Sequence, residues 1–247
     1  MIHLIAFARI SGKQYAYDYI VKDKDIKKII QRKQEILGKL SSEAKSLMTF
    51  HVISNECVSF NEIATKDPYF ADSKPFSNWI DFVREINSQT NINSSDIASY
   101  LLRKYPALRN HRFALHKVLY YIYADFLTSY GLTLFMANFV AFDKGPVEYD
   151  IYRLEKYEKS ELMKNSSFEI KVQYLTNYKE VLHLIKRDVE KYQNYYDQVW
   201  NRFESSDSTS NLTHKKGTPW SRAYERGTNS PIIDSDIIQY HHIEVLN

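Results

Sequence analysis

Apolar residues recur along this chain with two periods, and the switch between them marks out its elements. Over residues 1–21 the second arm alternates strictly at Tyr15, Tyr17, Tyr19 and Val21, with Ser11-Gly12 set between two apolar arms. Period two with a glycine turn predicts a β-hairpin. A hairpin alone is marginal in water, so this one needs something to pack against. Asp23 or Asp25 then caps a helix whose stripe is Ile26, Ile29, Ile30, Leu37 and Leu40. Its other side carries Lys22, Lys24, Lys27, Lys28, Arg32 and Lys33 and reads as a solvated face. Ser41 opens a second helix through Ala44, Leu47 and Met48 toward Val52. Residues 55–60 suit a turn or short strand, and Pro68 and Pro75 mark a loop. Trp79, Phe82, Val83 and Ile86 give a helix over residues 76–86. Threading the elements between Ser41 and Ile86 as a helix-turn-helix carries little weight, because any small helical cluster shows such spacing. The polar residues 87–95 form the best linker.

Beyond the linker the helical period strengthens. Residues 96–104 form a short helix with Ile97, Tyr100 and Leu101 inward, ended by Pro106. Residues 112–130 carry Leu115, Val118, Leu119, Ile122 and Phe126 on one face, and Gly131 suits the residue just past the helix end. Residues 132–142 fit helix and loop equally. Pro146 suits the first turn of a helix bearing Val147, Ile151, Leu154 and Tyr157. Phe168, Ile170, Val172 and Tyr174 alternate as in a strand. A long helix follows over residues 178–203, then a polar loop over residues 204–210. Thr218-Pro219 reads as an N-cap with proline at the first helical position, closed by Gly227, and Ser235 starts a last helix.

Composition narrows the class. The 247 residues are 44% hydrophobic and 26% charged, a globular balance, and the net charge of +3 is too small to imply nucleic acid. The single cysteine, Cys57, excludes an intramolecular disulfide framework and fits a reducing, cytoplasmic setting. No apolar run is long enough to span a bilayer, and the apolar start lacks the basic region and cleavage site of a signal peptide. No membrane partner is expected. The 20 tyrosines, against 6 glycines and 6 prolines, indicate long regular elements with amphipathic surfaces.

Candidate chemistry is sparse. Catalysis needs converging groups, and no zinc-protease helix, cysteine pair, phosphate loop or nucleophile elbow occurs. His111 and His116 do not share a helix face well, and His241 and His242 diverge, so each histidine reads as a surface or hydrogen-bonded residue. Asp143, Glu148 and Asp150 surround Gly145-Pro146, and helix capping by Asp143 is favoured over acid–base work. No catalytic residue, metal site or cofactor is assigned.

Two segments stand out. One is residues 115–121, Leu-His-Lys-Val-Leu-Tyr-Tyr, followed by Asp143-Lys144-Gly145-Pro146-Val147-Glu148-Tyr149. The other is Leu212-Thr213-His214-Lys215-Lys216-Gly217-Thr218-Pro219-Trp220-Ser221-Arg222. In this order they resemble the Panacea domain of antitoxins from bacterial and phage toxin–antitoxin pairs. The resemblance rests on Leu115, Lys117, Leu119, Gly145, Pro146, Val147, Thr213, His214 and Pro219 and covers residues 94–242. It implies a compact helical domain over residues 93–247, and with the smaller α+β region that the pattern gives over residues 1–92 the chain is expected to be mainly α. It also implies that the chain is no enzyme and that its partner is a cognate protein toxin, neutralised by direct binding or delivered to a protease. Control of its own operon through DNA contacts of residues 1–92 is the alternative, with no motif behind it. Oligomeric state stays open. Neighbouring helix positions diverge by about 100°, so Tyr120, Tyr121 and Tyr123 cannot all face one core, and some are expected at an interface. Trp220 and Arg222 are a pair of interface-anchor type. Packing of Trp220 against the Gly145-Pro146 turn is an equal alternative.

Overall fold

The computed structural model describes residues 1–22, 25–109, 112–199 and 211–246, and divides the chain into two compact units, residues 1–91 and 92–247. The expected loop over residues 204–210, the end of the long helix, His111 and the Asp23 cap lie outside the described residues.

In the first unit, β1 (Ile2–Ile10) and β2 (Lys13–Val21) form the expected hairpin, with Ser11 and Gly12 both at positive φ (52° and 78°). Two consecutive left-handed residues make the turn whose twist matches that of paired strands. Asp25 caps α1 (Ile26–Lys39) by accepting from the Lys27 N–H at 3.0 Å. The second helix is much shorter than expected. α2 (Ser42–Ser46) stops before β3 (Met48–Ser54), which pairs antiparallel with β1, Leu4 opposite Val52. The helical spacing through Met48 and Val52 is overridden by the sheet edge that β1 offers to the β-branched run Thr49, Val52 and Ile53. α3 (Phe60–Lys66), β4 (Ser73–Phe76) and α4 (Trp79–Thr90) complete the unit, and the sheet runs β3-β1-β2-β4. Strands interleave the short helices, so no helix-turn-helix forms there. The central β1 is buried on both faces: Leu4 packs with Val21 and Ile29, and Ile5 and Phe7 pack with Cys57, Phe60, Ile63 and Phe70. His3 ties this second face together, bonded to Asp18 at 2.8 Å and to the Cys57 carbonyl at 2.9 Å.

The second unit begins sooner than the polar linker suggests. Asn93 and Asp96 form a reciprocal capping box, so α5 (Ser94–Lys104) starts inside the stretch 87–95. α6 (Arg112–Tyr130) is the core of the unit, ended by Gly131 at φ 67°, whose N–H donates to Leu127 O. Against it pack α5, α10 and α13 and the hairpin of β5 (Phe139–Phe142) and β6 (Gly145–Glu148). Pro146 therefore sits in a strand rather than in a first helical turn, and Glu148 rather than Asp143 caps α7 (Tyr149–Tyr157), accepting from the Ile151 N–H at 2.7 Å. α8 (Lys159–Lys164) follows. The alternation at Phe168 to Tyr174 is not a strand: α9 (Phe168–Lys171) and a 3-10 turn bury Phe168, Lys171 and Val172, and the Lys171 ammonium meets Asp96 at 2.8 Å. The long helix is α10 (Tyr178–Asp188), a π-type turn (Val189–Gln193) and α11 (Asn194–Val199). α12 (Pro219–Arg226) has Thr218 as N-cap and Pro219 in its first turn, as expected, and α13 (Asp234–Tyr240) ends the set. The chain is thus mainly α, with its sheet at the N-terminus. No helix among the described residues is long and apolar enough to cross a membrane.

Candidate functional site

The motif residues, far apart in sequence, meet around one buried ammonium. α6 places Lys117 inside the unit at 1% exposure, where Nζ donates to Thr213 Oγ1 at 2.7 Å and to Asn211 Oδ1 at 3.3 Å. Thr213 also donates to Asn211 Oδ1, and Asn211 donates to Lys144 O, so the third motif is pinned to the hairpin turn. Burial holds the Lys117 ammonium well below the usual lysine range, with the Glu244 charge opposing. Gly145 is there because nothing larger fits: a Cβ on it would stand 1.7 Å from Lys117 Nζ, and its φ is +119°. Leu115, Leu119, Pro146 and Pro219 are buried beside this point.

Trp220 takes the interior alternative. Its indole N–H donates to Phe142 O at 2.9 Å at the end of β5, and its ring stacks on His214 (3.7 Å, 3°) and Tyr224 (4.7 Å, 20°). Tyr224 closes the stack by donating to Asp143 at 3.0 Å. Burial, together with the Lys117 charge, pulls His214 down to about 4. Arg222 is half-buried, lying over the Tyr240 ring at 3.5 Å and bonded to Gly217 O.

The exposure expected among the three tyrosines is corrected. Tyr120 and Tyr121 are at 0% and Tyr123 at 5% exposure, because α6 is enclosed on all sides and each hydroxyl finds its own partner. Tyr120 donates to Glu244 Oε1 at 2.6 Å, Tyr121 to Glu244 O at 3.1 Å, and Tyr123 to Asp234 at 2.8 Å, while Tyr192 stacks on Tyr121 at 3.5 Å. His241 bridges Glu244 and Asp125 at 2.8 and 2.7 Å, and Arg187 meets Asp125 from outside at 2.9 Å. Burial pulls His241 down, but these two carboxylates outweigh it and raise it to about 9. Asn211, Glu244 and Asp125 had no role in the sequence reading, and His241 entered it only as a surface or hydrogen-bonded residue. Only the nearness of Asn211 to Thr213-His214 was a usable signal.

The acidic turn does structural work. Glu148 is fully buried, caps α7 with one oxygen and accepts from the Asn138 N–H with the other, while His116 sits between the Glu148 N–H and Glu155. Asp143 is exposed. Among the described residues no group of His, Cys, Asp or Glu is arranged to hold a metal.

α7 is the helix next to the second motif. It follows directly on β6, its inner side buries Ile151 and Glu155, and its outer side presents Tyr149, Tyr152, Arg153, Lys156 and Tyr157. Tyr157 is 70% exposed, with the Lys156 ammonium over its ring at 5.2 Å. Tyr149 and Tyr152 stack, and Phe142 meets Tyr152 edge-on.

Fold and site together define a helical scaffold whose sequence motifs lock its interior. Residues 115–221 match the family model described as antitoxin SocA-like, Panacea domain. The match runs from within α6 to within α12, about two-fifths of the chain, and spans all three motifs. The match makes this stretch similar to the Panacea domain and supports an antitoxin-type role. No curated protein and no solved structure matches the chain.

Proposed function

We propose that this chain is the antitoxin of a toxin–antitoxin pair and neutralises its toxin by direct binding to the outer face of α7. The observation behind this reading is the division of labour in the second unit. Lys117, Gly145, Thr213, His214 and Trp220 are committed to one another, whereas the helix they orient turns tyrosines, an arginine and a lysine outward. Tyrosine supplies rigid contact area at small entropic cost, and tyrosine and arginine are both enriched at interface hot spots. Tyr120, Tyr121 and Tyr123 serve binding indirectly, by fixing the core on which α7 rests. In the same way Trp220 secures the turn that precedes it.

The test is genetic. Each open reading frame adjacent to the gene is induced in bacteria with and without this chain. One of them is expected to arrest growth alone and to be tolerated with the wild-type chain. A Tyr152→Ala/Tyr157→Ala variant, accumulating to the same level, should fail to protect. Protection by that variant would overturn the α7 assignment, and absence of any protected toxic product would overturn the antitoxin reading.

A further inference from the structure

The N-terminal unit carries an unfinished helical layer. On the sheet face that buries Leu4 and Val21, α1 lies over β1 and β2 and α4 over β2 and β4. Beside α1 on that face, among the described residues, a groove of about 340 Å³ runs along β3. Its walls are Ile26, Ile30 and Lys33 of α1 and Leu4, Phe50 and Val52 of the sheet. Ile26, Ile30 and Val52 are 63%, 52% and 62% exposed, although apolar side chains of this size gain from burial. The wall residues of α1 stand at i, i+4 and i+7, one helical ridge, which suits a second helix laid alongside. Among the described residues Lys33 is the only charged one in the lining, with no carboxylate beside it, and its ammonium lies over the Phe50 ring at 5.2 Å. The exposed Lys27 adds a further positive charge on α1.

We infer that this groove docks an amphipathic helix of a partner protein, apolar on one face and acidic at its borders. The helix would complete the layer as a third member beside α1, its carboxylates meeting Lys33 and Lys27. This surface lies outside the family-matched stretch and stands independently of the antitoxin reading.

The probe is a fluorescein-labelled peptide of about 18 residues, long enough to be helical once docked, with leucine at i, i+3, i+4 and i+7 and glutamate elsewhere. Anisotropy with the full-length chain should give a Kd at least about tenfold below that of the same peptide with lysine for glutamate, and of one broken by two central prolines. Ile30→Asp and Val52→Asp alter exposed side chains and should weaken binding about tenfold with unchanged circular dichroism. Equal binding of the lysine peptide would refute the charge argument. Equal binding of the proline peptide would mean strand addition at β3 instead. A wild-type dimer dissociated by Ile30→Asp would give the groove to a second copy of the chain. Either of these last results, or no binding at all, overturns the proposal.

Discussion

Replacing Gly145 with alanine tests whether the motifs form one locked interior. The new Cβ would stand 1.7 Å from Lys117 Nζ and 2.9 Å from Thr213 Oγ1, at a φ of +119°. The backbone strain is worth about 1–3 kcal/mol. Displacing Nζ breaks its bonds to Thr213 and Asn211, and an unpaired buried charge costs about 3–5 kcal/mol. The sum is about 4–8 kcal/mol. The low end is expected, because burial already disfavours the charged amine and the displaced group can shed its proton. Such a loss is a large share of a typical domain stability of about 5–15 kcal/mol. Urea unfolding followed by tryptophan emission, in a Trp79→Phe background that removes the N-terminal unit's reporter, measures it. In a Lys117→Ala background the collision with the ammonium is gone, so Gly145→Ala should cost only the strain and the close approach to Thr213 Oγ1, a coupling of at least about 2 kcal/mol. Strictly additive costs, or a Gly145→Ala variant within about 1 kcal/mol of wild type, would refute the locked-interior argument.

Further outcomes follow from the same geometry. Trp220→Phe removes the indole donor and orphans Phe142 O, a loss of about 1–3 kcal/mol by the same unfolding assay. Glu148→Gln weakens the α7 cap by about 1 kcal/mol and should loosen amide-exchange protection at Ile151 before that of α6. Because the folded-state value of His241 is raised from 6.5 to about 9, its contribution is complete below pH 6.5 and is lost as pH rises through about 9, on the order of 3 kcal/mol in all. His241→Phe should flatten the stability–pH curve across that window, measured as melting temperature against pH.

Much of this fold was legible from period alone. The hairpin, α1, α4, α6, α10 and the Thr218-Pro219 start of α12 follow from local pattern and capping chemistry. The failures share a cause, which is tertiary context. Met48 to Val52 has helical spacing but lies against the open edge of β1. Phe168 to Tyr174 alternates, yet Lys171 is drawn inward by Asp96, which only a helical turn allows. Tyr120, Tyr121 and Tyr123 were read as too divergent for one core. That rule assumes a helix with a solvent side, and α6 has none over those positions. Glu244 meets Tyr120 and Tyr121, and Asp125 meets His241, from more than a hundred residues away, pairings no local pattern can announce. The motif residues were visible as a set, but whether they faced outward or inward was not. Of the proposed partner-facing tyrosines, Tyr149 and Tyr152 lie within or just after the second motif and were given no role, and Tyr157 was read onto the apolar stripe with Ile151 and Leu154, whereas it is 70% exposed at the end of a short helix.

On the proposed reading the inward-facing motifs build a platform and the outer face of α7 binds the toxin. Isothermal titration of the purified chain with the neutralised gene product puts this to the test. The wild-type chain should bind, and Tyr152→Ala should weaken binding by about 30-fold or more, the effect of losing a hot spot of roughly 2 kcal/mol or above, without lowering the melting temperature. Undiminished binding by Tyr152→Ala, Tyr157→Ala and their combination would contradict it.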